Sequence, residues 1–342
     1  MACAGTEAGG DVALFPYAET AVPLSDDSNI RLIDERTVCT RESYEFRVHC
    51  IDVRGSEISF FGRQGEGPGE FRSGSGALLR GAGSTIGVID IRLNRMSLFS
   101  LTGTLLSEVR LPPGFVPGST SFSSTLAGGW TDFTSGGMTF RHAELDVGSG
   151  EVVWDRVYPR RFETDAGCES PGDWQGLPAG ILSPVGGIVF SLCRGQLLFF
   201  ADRDAPAGTL VRAPKYIPEL PDEEEVDAYL ERAGPFAMED RYRRTPKRYL
   251  RNRPMFDGRG RLWALTDRDL DDGFSYLDVY QGREYRGTVR VRHHARGIDV
   301  FGLTLAVLVE RPVGPRDADG FPDRGVDWYG IGDLSFGSPE DP

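Results

Sequence analysis

The stretch F-G-R-Q-G-E-G-P-G-E-F, from Phe61 to Phe71, constrains the fold of this chain more than any other segment. Four glycines and a proline lie between two aromatic ends, in a region that otherwise reads as short strands. Neither a helix nor a central strand can run through it, because glycine weakens both and proline lacks a backbone donor. A fixed loop joining two strand systems is therefore expected. Its structural residues are Gly62, Arg63, Gly65, Glu66, Gly67, Pro68, Gly69 and Glu70. Glu66 and Glu70 could serve as paired carboxylates. Capping of backbone amides, or pairing with Arg63, is the preferred reading, since either would fix the loop.

The 44 glycines and 22 prolines are dispersed along all 342 residues, which implies many turns and an all-β chain. Hydrophobic residues make up 39%, enough for a sizeable core. No run of eighteen apolar residues occurs, so no helical membrane span is expected. The net charge of −13 argues against a nucleic-acid partner, because phosphate binding needs a basic face. Lys215 and Lys247 are the only lysines, so almost every cation is an arginine.

Six units of ~40–50 residues can be cut from the chain, the length of a four-stranded repeat. They run over 30–60, 77–111, 119–158, 174–212, 254–291 and 297–333. The second is the clearest. Ile86, Val88 and Ile89 form an apolar strand, residues 90–94 a turn, Met96, Leu98 and Leu101 an alternating strand, and Thr102-Gly103 a hairpin closure. Trp130 and Trp154 are expected to pack between units.

Residues 221–253 break the pattern. D-E-E-E-V-D-A-Y-L-E-R-A-G begins with acids and ends at Gly234, as a helix does. Val226, Tyr229, Leu230 and Ala233 share one face, so a helix of about three turns is expected between the fourth and fifth units. An arginine-rich arm follows, with Arg241, Arg243, Arg244, Lys247, Arg248, Arg251 and Arg253 interleaved with Tyr242 and Tyr249. Arginine and tyrosine favour docking surfaces, and anionic headgroups are a second target. Alternatively, the arm neutralises the acids of its own helix.

Five cysteines are present. Cys39 and Cys50 flank a hairpin-length segment, and Cys168 and Cys193 flank a Gly/Pro-rich turn region. Two disulfides would use these four and leave Cys3 over. Buried thiols are the alternative; export, to which the fifth cysteine points, favours disulfides. The four histidines, His49, His142, His293 and His294, show no zinc-ligand spacing. The acidic runs at 267–272 and 317–323 lack the twelve-residue calcium-loop pattern. There is no G-x-S-x-G elbow, and no serine or cysteine can be tied to His142 and Asp146. No catalytic residue, metal ligand or cofactor site is assigned.

The wording of the 61–71 loop resembles the inter-blade connection of six-bladed, NHL-like β-propellers, a family common among secreted bacterial lipoproteins. The order strand, Asp, turn, Asn-Arg, strand, Gly turn over 86–103 is similar to one NHL repeat, and F-D-G-R-G-R-L-W over 256–263 to another's start. The resemblance implies an all-β fold: one six-bladed β-propeller over 12–336, with a short helical insertion between blades four and five. Residues 14–24 would close the ring by adding a strand to the last blade, removing exposed edges. Residues 1–11 would be a tether and 337–342 a tail. Cys3, followed by a small polar stretch, resembles the lipidated cysteine of a mature lipoprotein. Met1-Ala2 carries neither n-region nor h-region, so a leader would have to lie upstream or to have been removed.

Fold alone does not fix function. The resemblance implies a non-enzymatic, periplasmic, membrane-associated scaffold that docks on an integral membrane complex. Arginine richness and loop wording look like propeller lipoproteins of Gemmatimonadota, and thus like an extrinsic subunit of a photosynthetic reaction centre with its antenna rings. The alternatives are a module binding a small molecule, glycan or peptide at the tunnel mouth, and a calcium-assisted lactonase or hydrolase of six-bladed type.

Overall fold

The computed structural model describes residues 5–6, 11–21, 30–42, 45–74, 76–134, 137–158, 180–183, 186–191, 195–217, 219–234, 237–244, 249–250, 253–268, 272–311 and 323–336. It is an all-β, six-bladed β-propeller with a short helical insertion between two blades.

Blade 1 comprises Ile30–Asp34, Thr37–Glu42, Arg47–Asp52 and Glu57–Phe61. Blade 2 comprises Leu78–Arg80, Ile86–Asp90, Arg95–Phe99 and Leu105–Arg110. Blade 3 is built from Val116–Pro117, Thr125–Thr134, Gly137–Asp146 and Val152–Tyr158. Blade 4 holds Ile181–Leu182, Ile188–Ser191, Gln196–Phe200 and Thr209–Arg212. Blade 5 holds Met255–Phe256, Arg261–Leu265, Phe274–Gln281 and Glu284–Arg292. In blade 6, His294–Phe301, Thr304–Arg311 and Asp323–Gly330 are completed by Ala18–Ala21.

Short strands alternate with turns because an aspartate nucleates many of the hairpins. Asp34, Asp52, Asp90, Asp202 and Asp257 each accept the backbone N–H two residues on. This Asx geometry substitutes for a backbone turn.

Apolar residues from facing blades form the core. One cluster joins Ile33, Cys39 and Val48 of blade 1 to Leu78, Ile86 and Val88 of blade 2. Another joins blade 2 to Phe115, Leu126 and Leu145 of blade 3, with Trp130 against it. Trp154 of blade 3 packs on Ile188, Phe190 and Phe200 of blade 4. Further clusters join blades 4 and 5, 5 and 6, and 6 and 1. Each blade thus buries both faces against neighbours, as a closed ring requires.

Closure is made by antiparallel pairing of Ala18–Ala21 with Asp323–Gly330, Thr20 lying opposite Val326. Trp328 Nε1 donates to Thr20 Oγ1 at 3.0 Å, and that hydroxyl donates to the carbonyl of Val53 in blade 1. The N-terminal segment does more than the sequence predicts. Asp11–Ala13 pairs in parallel with Glu284–Arg292, and Gly5–Thr6 folds back on Asp11–Ala13. These strands cover the outer edge of blade 5, so Gly5, Thr6 and Asp11 are sheet residues rather than free tether. Val12 and Leu14 are buried there.

The insertion begins with helix α1, Glu223–Ala233. Asp222 and Glu225 form a reciprocal capping box, three acids occupy the first turn, and Gly234 ends the helix at φ 52°. Val226 is fully buried. A one-turn helix α2, Glu239–Tyr242, follows. Among the described residues, no helix is long and apolar enough to cross a membrane.

Candidate functional site

The glycine-rich loop is a clasp between blades 1 and 2. Glu70 accepts the Gly67 N–H at 2.8 Å and the Arg63 side chain at 2.7 Å. The Gly67 N–H, and then Arg63, hold its carboxyl below the usual carboxylate range. Glu66 pairs with Arg72 at 2.8 Å. The two carboxylates thus have separate partners, and a depressed Glu70 is a poor proton acceptor. Arg95 of blade 2 donates to the carbonyls of Gly67 at 3.0 Å and Glu70 at 2.7 Å, and Glu108 accepts the Gly69 N–H. Phe71 is fully buried beside Phe99, with Arg41 over its ring. A Cβ on Gly65 would lie 2.0 Å from the Glu70 carboxylate, so a larger residue there would have to displace Glu70.

The arginine arm divides by role. Arg243 donates to both carboxylate oxygens of Glu223, at 2.7 and 2.8 Å, and to Glu239 at 2.9 Å, tying α2 to α1. Tyr242 stacks on Tyr229 at 4.1 Å, nearly parallel. Two residues expected on a docking surface lie inside instead. Tyr249 is buried and donates to Asp278 at 2.6 Å, because the chain there re-enters the sheet at Leu250. Arg253 immediately precedes the inner strand of blade 5 and donates to the Pro117 carbonyl in the inner strand of blade 3. Arg244 is exposed. The side chain of Arg241, and Lys247, Arg248 and Arg251 altogether, fall outside the described residues.

Around this insertion lie large apolar side chains that sequence reading did not single out. Ile217 is 72% exposed, Leu220 57% and Met238 58%. They belong to the connection between Arg212 and Met255, in the stretches on either side of α1 where strand and helix periodicity both lapse. Without a period, no face can be read from sequence.

Cys39 and Cys50 face each other across the two middle strands of blade 1 and form a disulfide. Cys3, Cys168 and Cys193 fall outside the described residues.

The titratable groups weighed for catalysis have structural surroundings. His142 is fully buried between the edges of Trp154, at 5.8 Å, and Phe190, at 6.3 Å. Burial lowers its pKa to about 4, so the ring is neutral at pH 7. Asp146 accepts from the backbone and hydroxyl of Ser149 and closes its own turn. His49 lies 3.1 Å from Glu57. His293 occupies φ 68° between blades 5 and 6. Asp272 accepts the Phe274 N–H and the Tyr276 hydroxyl. Among the described residues, no three His, Cys, Asp or Glu side chains gather as metal ligands.

A charge cluster at the centre of the ring also escaped sequence reading. Asp299, fully buried in the inner strand of blade 6, accepts from Arg31 Nη1 at 2.6 Å and from the Leu32 N–H at 2.6 Å. Arg80 of blade 2 lies 3.5 Å from the same carboxylate and donates to the Leu32 carbonyl. Arg31 also donates to the Leu78 carbonyl. Arg80 and Arg253 are both less basic than free arginine, first through burial. For Arg80 the Asp299 charge opposes that shift, and the Arg31 charge adds to it. Arg253 is brought to about 10, the Arg31 charge adding to burial. One signal was available: Arg31 is a lone charge within the apolar strand I-R-L-I.

No family model matches the chain, and no curated protein matches it. Solved structures similar to it include a member of the DUF4221 family from Bacteroides vulgatus, at 11% identity and a TM-score of 0.48, covering 94% of this chain and 99% of that one. A protein described as exported, from Bacteroides fragilis, has 9% identity and a TM-score of 0.45, with 92% and 94% covered. BamB from Moraxella catarrhalis has 12% identity and a TM-score of 0.38, with 91% and 84% covered.

Proposed function

We propose that this propeller is a non-enzymatic recognition subunit that docks on an integral membrane protein complex outside the cytoplasm. The insertion between blades 4 and 5 is the docking element. The observation that carries this reading is the exposure of Ile217, Leu220 and Met238 in one connection, which also carries the exposed Arg244. Large apolar side chains left in water on a rigid scaffold are costly unless a partner covers them. The arm's other described arginines are engaged at home, Arg243 by its own helices and Arg253 inside the ring. Apolar contact with an arginine at its rim is the usual composition of a docking patch.

A lipid on Cys3 would hold the subunit at the membrane surface. The sequence resemblance to Gemmatimonadota lipoproteins makes a photosynthetic reaction centre with its antenna rings the first complex to test. In the test, unaltered protein and the triple variant Ile217→Ser, Leu220→Ser, Met238→Ser are each expressed in the native host and extracted in mild detergent. The variant should lose the membrane complex while keeping its melting temperature. Equal retention by both proteins would exclude the insertion as the docking element.

A further inference from the structure

We infer that the N-terminal strand Asp11–Ala13 latches the base of the insertion, so that the seating of this strand and the position of the insertion are energetically coupled. Asp11 lies opposite Thr288, and Thr288 opposite Asp278, in three neighbouring strands of the blade 5 sheet. The Thr288 hydroxyl donates to Asp278 at 2.8 Å. Both legs of the connection between blades 4 and 5 close on this row. Lys215, in the leg that leaves blade 4, donates to Asp11, 204 positions away. Tyr249, in the leg that enters blade 5, donates to Asp278 at 2.6 Å. The two legs touch through Tyr216 and Tyr249, whose rings meet edge to face at 5.5 Å. Asp11, Thr288, Asp278, Tyr249, Tyr216 and Lys215 thus form a closed circuit.

Charge makes the circuit interdependent. Two strand spacings, about 10 Å, separate the backbones of Asp11 and Asp278. Asp278 is fully buried, with Arg268 at 3.4 Å. Seating Asp11 in the same row adds a second carboxylate, whose charge the Lys215 ammonium offsets. The strand therefore fits best when the first leg of the connection is in place. Reciprocally, loss of the strand removes the partner that draws Lys215, and with it Tyr216, toward Tyr249. Main-chain bonds fix both sides of the circuit. The Leu14 N–H donates to the Arg290 carbonyl at 3.0 Å, and the Asp267 N–H to the Tyr249 carbonyl at 2.6 Å. A chain of packed and hydrogen-bonded groups of this kind can carry coupling between two segments. Tension on the chain before Asp11 would then reach the surface that meets a partner, a consequence that rests on the docking role proposed above.

The test is hydrogen exchange of the whole chain at pH 7 and low ionic strength, which reads the local opening of each segment. The Leu14 amide reports the N-terminal strand, the Asp267 amide the second leg, and the Ile89 amide of blade 2 is the control. Asp11→Asn and Lys215→Gln should each speed exchange at both Leu14 and Asp267 about threefold, the size of a partly exposed ion pair. The double variant should be no faster than either single one, where independent effects would multiply. Tyr249→Phe, which removes a buried hydrogen bond to a carboxylate, should speed exchange at Leu14 about tenfold or more. Ile89 should be unchanged in every variant. Acceleration confined to the side that carries the substitution, effects that multiply in the double variant, no acceleration, or equal acceleration at Ile89 would each overturn the inference. If Tyr249→Phe fails to fold, the two ion-pair variants decide, since the side chains of Lys215 and Asp11 are 34% and 30% exposed. No partner enters this test, so its failure leaves the docking role standing, and failure of the docking role leaves the coupling to be decided here.

Discussion

His142 shows how a single side chain here is fixed by packing rather than chemistry. Its ring sits between Trp154 and Phe190 with both nitrogens unpaired among the described residues. Burial lowers its pKa to about 4 from 6.5, so the neutral ring contributes stability that is complete above pH 6.5 and is lost as pH falls through about 4. The full effect is about 3 kcal/mol, from roughly 1.4 kcal/mol for each tenfold change in proton affinity. His142→Phe should leave stability at pH 7 within about 1 kcal/mol and remove most of the loss between pH 6.5 and 4. Denaturant melts at both pH values would show this, and an acid loss unchanged in the variant would contradict it. Sequence could count the four histidines and find no ligand spacing, but it could not tell that this one is sealed. That depends on two aromatic rings, one from the neighbouring blade. Arg253 makes the same point in reverse. By spacing it belongs to the arginine arm, yet the chain turns inward at Tyr249 and carries it into the ring.

At the scale of elements, local signals were legible wherever one segment satisfies itself. The α1 helix was readable because its cap, acidic first turn and glycine stop are encoded within thirteen positions, Asp222 to Gly234. The 61–71 loop was readable because its glycines leave no other choice. What sequence could not give was the assignment of partners. Arg63 and Gly67 take Glu70, while Arg72 takes Glu66. Arg95, more than twenty positions away, holds two loop carbonyls. Gly65→Ala should push the Glu70 carboxylate out of this clasp and destabilise the protein by about 1–3 kcal/mol. Hydrogen exchange should then speed up at Gly65, Gly67 and Phe71 while blades 4 and 5 stay protected. Unchanged exchange in the loop would show that the clasp does not depend on Glu70. The parallel strand Asp11–Ala13 was missed for a related reason: three residues on an outer edge carry no periodicity, and their pairing is decided by blade 5.

At the scale of the molecule, six units and their closure were legible because every blade repeats the same strand-and-turn grammar. The first strands of blades 6, 1 and 2 lie side by side, and their charges meet only once the ring is closed. No linear reading brings Arg31 to Asp299, 268 positions away. Closure also makes stability collective. Deleting residues 1–21 would expose the outer edges of blades 5 and 6 and remove the burial of Val12 and Leu14. A loss of about 4 kcal/mol or more is expected, at about 1.5–3 kcal/mol for each large aliphatic side chain. It should appear as a lower denaturation midpoint with aggregation through the freed edges. A midpoint unchanged from that of the full chain would mean that the ring holds without its N-terminal strands. On the proposed reading, the insertion between blades 4 and 5 meets a partner through Ile217, Leu220 and Met238. The most direct test of that role is mild detergent extraction of native membranes, size separation, and mass spectrometry of whatever migrates with this chain. Co-migration at fixed stoichiometry with an integral membrane complex is the expected result; migration as a free monomer would contradict it.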